Sequence, residues 1–220
     1  MFELGASKSA AQFYEPINLT AKSQKVNQSK QAIQYAGKFL ALIKEENWEF
    51  VDRVNAKGAA LIIGLTAEQN ILLVEQYRIP VHARTIEFPA GIIGDEPGLS
   101  NETSTAAALR ELLEETGYAA KQIEALTTGP SCSGLTSERV TLFRALGLRR
   151  TGNGGGVGRE EISVHEVPLI EVVTWLAAKA NTGILIDPKV YAGLFFVTES
   201  DVRRAPVGTP SAECCHTGQD

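Results

Sequence analysis

The hydrophobic pattern divides the chain into three stretches. Residues 1–34 are rich in Ser, Lys, Gln and Asn and hold no sustained period, which predicts a loosely packed leader or an arm that docks on a partner. Residues 35–198 carry the patterned segments, and residues 199–220 form a polar, loose tail. Within the body, residues 37–44 (GKFLALIK) and 47–54 (NWEFVDRV) alternate well enough for a hairpin, with Glu45 and Glu46 near its turn. Residues 58–65 (GAALIIGL) and 70–76 (NILLVEQ) read as two apolar strands. Residues 102–118 (ETSTAAALRELLEETGY) read as an amphipathic helix. Its stripe is Ala106, Ala107, Ala108, Leu109, Leu112 and Leu113, and Gly117 ends it as a glycine just past a helix does. Further strands are expected at 140–148 and 162–167. Helices are expected at 168–180 and 187–197, the last with Asp187 as N-cap and Pro188 in its first position.

Composition narrows the classes. A chain of 220 residues with 44% hydrophobic residues is one ordinary globular domain with a possible small appendage. The net charge of −5 argues against a nucleic-acid surface, but says little about a small phosphorylated substrate. Three cysteines give no disulfide framework and no zinc spacing. Cys214, Cys215 and His216 would need two more ligands to clip a metal, and Cys132 has no histidine partner suggested by the sequence. No apolar run reaches membrane length and no signal-peptide pattern precedes the body, so the expected setting is a reducing cytoplasm.

The chemistry concentrates on the 102–118 helix. Glu111, Glu114 and Glu115 are spaced three and four apart, so their carboxylates crowd one side. A solvated acidic face is the plain alternative. A divalent cation would turn the mutual repulsion into attraction, because carboxylate oxygens are what Mg²⁺ prefers. Around this helix stand other candidates. Trp48 is either a half-buried strand aromatic or a platform for a nucleobase. Arg78 is either a surface ion-pair partner or a fork that grips a diphosphate oxygen, and Arg84 is a weaker candidate for that job. His82 has no second ligand at metal spacing. Residues 151–158 (TGNGGGVG) read as a flexible loop. No Gly-Lys-Ser/Thr follows to make them a phosphate cradle. Glu160 and Glu161 follow that loop and are candidate general bases that swing in with substrate.

Glu102, seven residues, then Arg110-Glu111-Leu112, Glu114-Glu115 and Gly117-Tyr118 resembles the signature helix of the Nudix hydrolases, and Glu87-Phe88-Pro89-Ala90-Gly91 resembles the strand end and turn that enter it. In that signature a glycine stands six positions before the first glutamate. Here that position is Glu96, and Gly91 lies eleven positions before Glu102. Residues 92–101 (IIGDEPGLSN) therefore look like the usual loop with an insertion. Within the family the chain is most similar to the ADP-ribose or ADP-sugar pyrophosphatase group. The local matches are WEFVDR, EQYRIP, GLTSERVTLFRA, GREEISVHEVP and IDPKVYAGLFF.

The resemblance implies a mixed β-sheet in an α/β/α sandwich, with an N-terminal β-hairpin or arm exchanged in a homodimer. It implies Mg²⁺, with Mn²⁺ as the alternative ion, held by Glu111, Glu114, Glu115 and the carbonyl of Ala90. It implies Glu160, with Glu161 as runner-up, as the catalytic base. Substrate would be bound by Trp48, Arg53, Arg78 and Glu138. Arg110 and Glu102 would support the helix glutamates. The implied reaction is hydrolysis of the diphosphate of ADP-ribose or a related nucleotide sugar. UDP- or GDP-sugars, nucleoside triphosphates or capped RNA, and a non-catalytic binding module are the alternatives.

Overall fold

The computed structural model describes residues 31–95, 98–158 and 160–197. The expected leader up to residue 30, the polar tail, Cys214, Cys215, His216 and Glu96 lie outside the described residues. In chain order the strands are β1 (Ala32–Ala36), β2 (Leu40–Glu45), β3 (Trp48–Arg53), β4 (Ala59–Gly64), β5 (Asn70–Arg78), β6 (Ala83–Glu87) and β7 (Ala90–Ile92). Helix α1 (Ser104–Thr116) follows. Then come β8 (Tyr118–Ala119), β9 (Gln122–Pro130), β10 (Arg139–Leu146), β11 (Arg149–Arg150) and β12 (Ser163–Pro168). Helix α2 (Val172–Asn181), β13 (Leu185–Ile186) and helix α3 (Pro188–Phe195) close the described chain.

Two four-stranded mixed sheets form the middle layer, ordered β7-β4-β10-β9 and β12-β5-β6-β13. Strand β10 runs parallel to β4, while β5 and β6 are antiparallel. Alternation along each strand sends side chains to two different cores. Ala60, Ile62, Leu72 and Phe143 meet Ala107, Ala108 and Leu112 of α1. Leu61, Ile63, Ile71, Leu73 and Ile86 meet Val172 and Leu176 of α2 and Val190 and Leu194 of α3. Helices thus cover both faces of the strands, and the architecture is the expected α/β/α sandwich. A separate sheet, β1-β2-β3, carries the hairpin. It joins the body through the Val51–Thr136 bridge and through Ser137, whose hydroxyl donates to Asp52 Oδ1 at 2.5 Å.

Several boundaries differ from the pattern, each for a local reason. Strand β1 begins at Ala32, inside the stretch read as leader, because Ala32–Ala36 pairs with β2 rather than with the body. Helix α2 starts at Val172 and not at Pro168, because Pro168 is still the last residue of β12 opposite Asn70. At α1, Thr103 is the N-cap and accepts from the Ala106 amide at 3.2 Å. At α3, Asp187 caps by accepting from the Lys189 amide at 2.8 Å. The glycine-rich stretch is not a free loop. Thr151 and Gly152 amides donate to the Gly117 carbonyl at 2.8 and 3.0 Å, closing the C-terminus of α1.

Beneath α2 lies a buried ionic hub. Glu75 receives Arg84 at 2.5 Å, Lys179 at 2.9 Å and His165 at 3.0 Å. Arg84 is therefore engaged on the α2 side of the sheet, away from the acids of α1. Burial opposes the charged form of Glu75, but the hydrogen bonds from Lys179, Arg84 and His165 outweigh it and hold the carboxyl down at about 2. A folded value below the ordinary carboxylate range means that this stability is present above that range and is lost as pH falls toward 2. Replacing Glu75 by Gln leaves two cations short of a partner. We expect Glu75→Gln to cost about 1–3 kcal/mol at neutral pH. The gap from wild type should shrink as acid titrates the hub, which thermal unfolding across the acid range will read.

Candidate active site on the acidic helix

Helix α1 lies against the sheet through Ala107, Ala108 and Leu112, while Ala106, Leu109 and Leu113 of the expected stripe face outward and are exposed, and this rotation decides where each glutamate points. Glu115 turns inward and is 4% exposed. Its Oε2 accepts the Ala90 amide at 3.0 Å. Glu111 lies over β7, so close to Gly91 that a Cβ there would sit inside its carboxylate. The missing side chain at Gly91 thus leaves the Glu111 carboxylate its present place, and the 92–101 loop begins beyond it. Within that loop Ile93 is buried in the α1-side core, and its amide donates to the Gly58 carbonyl at 2.9 Å.

Arg110 organises the outer acids. Its guanidinium donates to Glu102 at 3.0 and 3.2 Å, to Glu111 at 2.8 Å and to Glu114 at 3.2 Å. The Glu102 hydrogen bonds, against the cost of burial, raise the Arg110 pKa, so it stays charged. The inner acids are different. Burial, outweighing Arg110 and reinforced by Glu114 and Glu160, pushes Glu111 up to about 7. Burial pushes Glu115 up to about 8, with Glu111 and Glu160 adding to it against the Ala90 amide and Arg78. Glu160 on the loop before β12 therefore belongs to the same electrostatic cluster. Its own Oε2 accepts the Val157 amide at 2.9 Å. Glu161 is exposed beside it.

Arg78 stands at the end of β5 on the α1 face. It grips Glu87 of β6 in a fork, at 2.8 and 2.6 Å, and Thr85 donates to the same carboxylate. The hydrogen bonds from Arg78 to Glu87 are the main reason the Arg78 pKa is raised, with the charges of Glu87, Glu115 and Asp187 adding to them. The sequence pattern assigns Glu87 no role beyond the turn that enters the helix. What reveals it is the β5–β6 register, which places Glu87 opposite Val74 on the same face as Arg78. Burial disfavours the charged form of Glu87, and Arg78 overcomes it.

The remaining candidates stand apart. Trp48 is 63% exposed at the hairpin and lines an open cleft of about 400 Å³ with Glu45, Glu46, Phe50, Ser133 and Thr136. No residue of α1 lines that cleft. Arg53 and Glu138 are paired with each other. Among the described residues, no three His, Cys, Asp or Glu side chains already converge as a metal cluster. Arg110 holds Glu111 and Glu114, while Glu115 is turned to the Ala90 amide. The donor set is nonetheless all oxygen, with Glu115 buried and Glu111 and Glu114 half-buried, which suits a hard divalent cation.

Fold and site together define an α/β/α domain built around an acid-lined helix. A NUDIX domain model matches residues 56–192, and the chain belongs to the Nudix family. Among its relatives is a methanol dehydrogenase activator from Bacillus methanolicus, 35% identical over 57% of this chain and 66% of that protein. An ADP-sugar pyrophosphatase from Mus musculus is 33% identical over 68% of this chain and 72% of that protein. A GDP-mannose pyrophosphatase from Pectobacterium atrosepticum is 32% identical over 60% and 67%. This chain thus spans about two thirds of the length of these relatives. A solved ADP compounds hydrolase shares the fold, with a TM-score of 0.56 at 19% identity, covering 76% of this chain and 89% of that one.

The raised glutamates set a pH dependence. A folded value above the ordinary one contributes stability that is full in acid and lost as pH rises through 7 to 8. Without metal, the melting temperature should fall as pH rises from the ordinary carboxyl value of 4.5 to about 8, and Glu115→Gln should flatten that fall. Adding Mg²⁺ should raise the melting temperature more at the alkaline end. Thermal unfolding with chelator or with Mg²⁺ reads both effects; a chelated protein whose stability does not change across that range would contradict them.

Proposed function

We propose that this protein is a Mg²⁺-dependent pyrophosphohydrolase that cleaves the diphosphate bond of ADP-ribose or a related nucleoside diphosphate sugar, giving a nucleoside monophosphate and a sugar phosphate. The observation that carries the reading is the pair of half-buried Glu111 and buried Glu115 on the acidic helix, the first against Gly91 and the second on the Ala90 amide, pushed up to about 7 and about 8. Such carboxylates are costly for the fold alone and suited to a cation. The names of the mouse and Pectobacterium relatives support a nucleotide-sugar substrate. Cysteine usage supports a reducing cytoplasm as its setting.

Glu111, Glu114, Glu115 and the Ala90 carbonyl would hold the metal. Bound there, Mg²⁺ supplies charge neutralisation of the diphosphate and a lowered pKa for a coordinated water. Arg110 fixes the rotamers of Glu111 and Glu114 through the hydrogen bonds described above. Arg78, anchored by Glu87, presents positive charge toward the diphosphate. Glu160 takes the proton of the attacking water on its carboxylate as the water oxygen bonds to phosphorus. The bridging P–O bond breaks and the monophosphate leaves. Arg53 and Glu138 border the loop that joins the hairpin to the body and would contact substrate there.

Trp48 would stack on the base, in a site completed by a second copy of the chain. Two observations support this. The cleft that Trp48 lines contains nothing from α1. The hairpin sheet also leaves Ile33, Tyr35 and Phe39 each about two thirds exposed, more apolar surface than a monomer usually leaves bare.

A panel of ADP-ribose, ADP-glucose, GDP-mannose, UDP-glucose and a deoxynucleoside triphosphate, each with Mg²⁺, should show ADP-ribose or an ADP-sugar cleaved fastest by released monophosphate. Preference for GDP-mannose would keep the chemistry and discard the adenine. Glu115→Gln should cut turnover by at least about a thousandfold while the protein stays folded. Wild-type turnover in that variant would refute the ligand assignment. Light scattering should find a dimer, and Phe39→Asp should weaken it and lower activity together; a fully active monomer would refute the shared site.

A further inference from the structure

The glycines at 154, 155 and 156 have a use that neither the fold nor the metal set accounts for. We propose that they are a positioning latch, tying the loop that carries Glu160 to the main-chain carbonyls of Glu114 and Glu115 and so setting where the Glu160 carboxylate stands against the acids of α1. The proposal rests on the reading of Glu160 as the base.

The hydrogen bonds come first. The last carbonyls of a helix have no partner within it. Here the Gly155 amide donates to the Glu115 carbonyl at 2.8 Å and the Gly156 amide to the Glu114 carbonyl at 3.1 Å. The two residues held this way are two of the three helix glutamates assigned to the metal. The Ile162 amide then returns to the Gly155 carbonyl at 3.3 Å. Gly155, Gly156 and Ile162 thereby tie both flanks of the Glu160 segment to the end of α1. Within that segment, the Glu160 carboxylate accepts the Val157 amide at 2.9 Å, and the Glu160 amide donates to the Val157 carbonyl at 3.3 Å.

Sterics explain why glycine is needed. All three residues have positive φ, at 68°, 106° and 83°, a region that L side chains rarely enter. A Cβ at Gly154 would lie 2.6 Å from the Glu115 carbonyl oxygen and 2.7 Å from the Gly117 amide nitrogen. A Cβ at Gly156 would lie 2.6 Å from Glu160 Oε2 and 2.7 Å from its Cβ. Gly156 therefore touches the proposed base directly, and its missing side chain is the space in which that carboxylate sits. Gly158 has a similar φ of 67° but nothing within 4 Å of an added Cβ, so it serves as the control.

A plain helix cap would also use these hydrogen bonds, so the test must separate stability from placement. kcat, KM and melting temperature are measured at saturating Mg²⁺ with the best substrate of the panel. The variants are Gly156→Ala, Gly155→Ala, Gly158→Ala and Glu160→Gln, with each of the first two also combined with Glu160→Gln. We expect Gly156→Ala to lower kcat roughly 10–100-fold, the size of effect that small misplacements of a catalytic group produce. KM should stay within about twofold, because ground-state binding is untouched. In the Glu160→Gln background the same change should cost nothing further, since the group it displaces is gone. Gly158→Ala should stay close to wild type. Gly155→Ala, whose Cβ would meet only the Ile162 carbonyl oxygen at 3.7 Å, gives a milder variant should Gly156→Ala fail to fold. It should lose kcat where Glu160 is intact and lose nothing further in the Glu160→Gln background.

Wild-type kcat in a folded Gly156→Ala, or an equal fractional loss in both backgrounds, would overturn the latch. Wild-type turnover in Glu160→Gln would instead refute the base, and the latch would fall with it for a separate, visible reason.

Discussion

The burial of Glu115 among other carboxylates is the constraint on which the rest of this structure turns. A carboxylate with little access to water and with Glu111 and Glu160 close enough to oppose its charge is an unstable element by itself. The fold tolerates it because every neighbouring part is arranged around it. The Ala90 amide supplies one hydrogen bond, Gly91 gives the space for Glu111, Arg78 supplies remote positive charge, and Arg110 restrains the outer acids. The apolar stripe of α1 fixes the rotation that points Glu115 inward. The helix is thus held by hydrophobic packing in an orientation that its charges resist.

Two charged systems share one pair of strands without meeting. On the α1 face of β5 and β6, Arg78 and Glu87 are bound together beside the acids. On the α2 face, Glu75 collects Arg84, Lys179 and His165. The first leaves Arg78 partly exposed at the site; the second satisfies its members and braces α2 and β12 against the sheet. Because β12 begins just after Glu160, this brace also steadies the far end of the loop that carries it.

Much of this is legible in the chain. The spacing of Glu111, Glu114 and Glu115, with Gly117 behind them, places the acidic helix within two residues at either end, since caps and periodicity are local properties. The α/β/α layers follow from the family resemblance, which the apolar strands read from the pattern fit. What is not legible depends on contacts distant in sequence. Nothing near Arg84 shows that it turns to Glu75, because that depends on strand register. Glu87 looks like the start of a turn until β6 is paired with β5. The glycines of residues 151–158 read as freedom, since composition records what a backbone can do and not what it is pressed against. The start of strand β1 is absorbed into the leader because, among the described residues, its pairing is with β2 of the peripheral hairpin sheet.

The register of β5 against β6 has a consequence for errors in folding. In an antiparallel pair, sliding one strand by a single residue turns every side chain to the opposite face. Here such a slip would carry Arg78 toward α2 and Glu75 toward the acids of α1, leaving unlike layers holding the wrong charges. In most sheets the penalty for that mistake is exposed hydrophobic surface. In this one the strands are apolar on both faces over Ile71–Val74, so oil alone discriminates poorly between the two alignments. The charged residues at the strand ends act as a parity check: only one of the two alignments gives each ion its counterion.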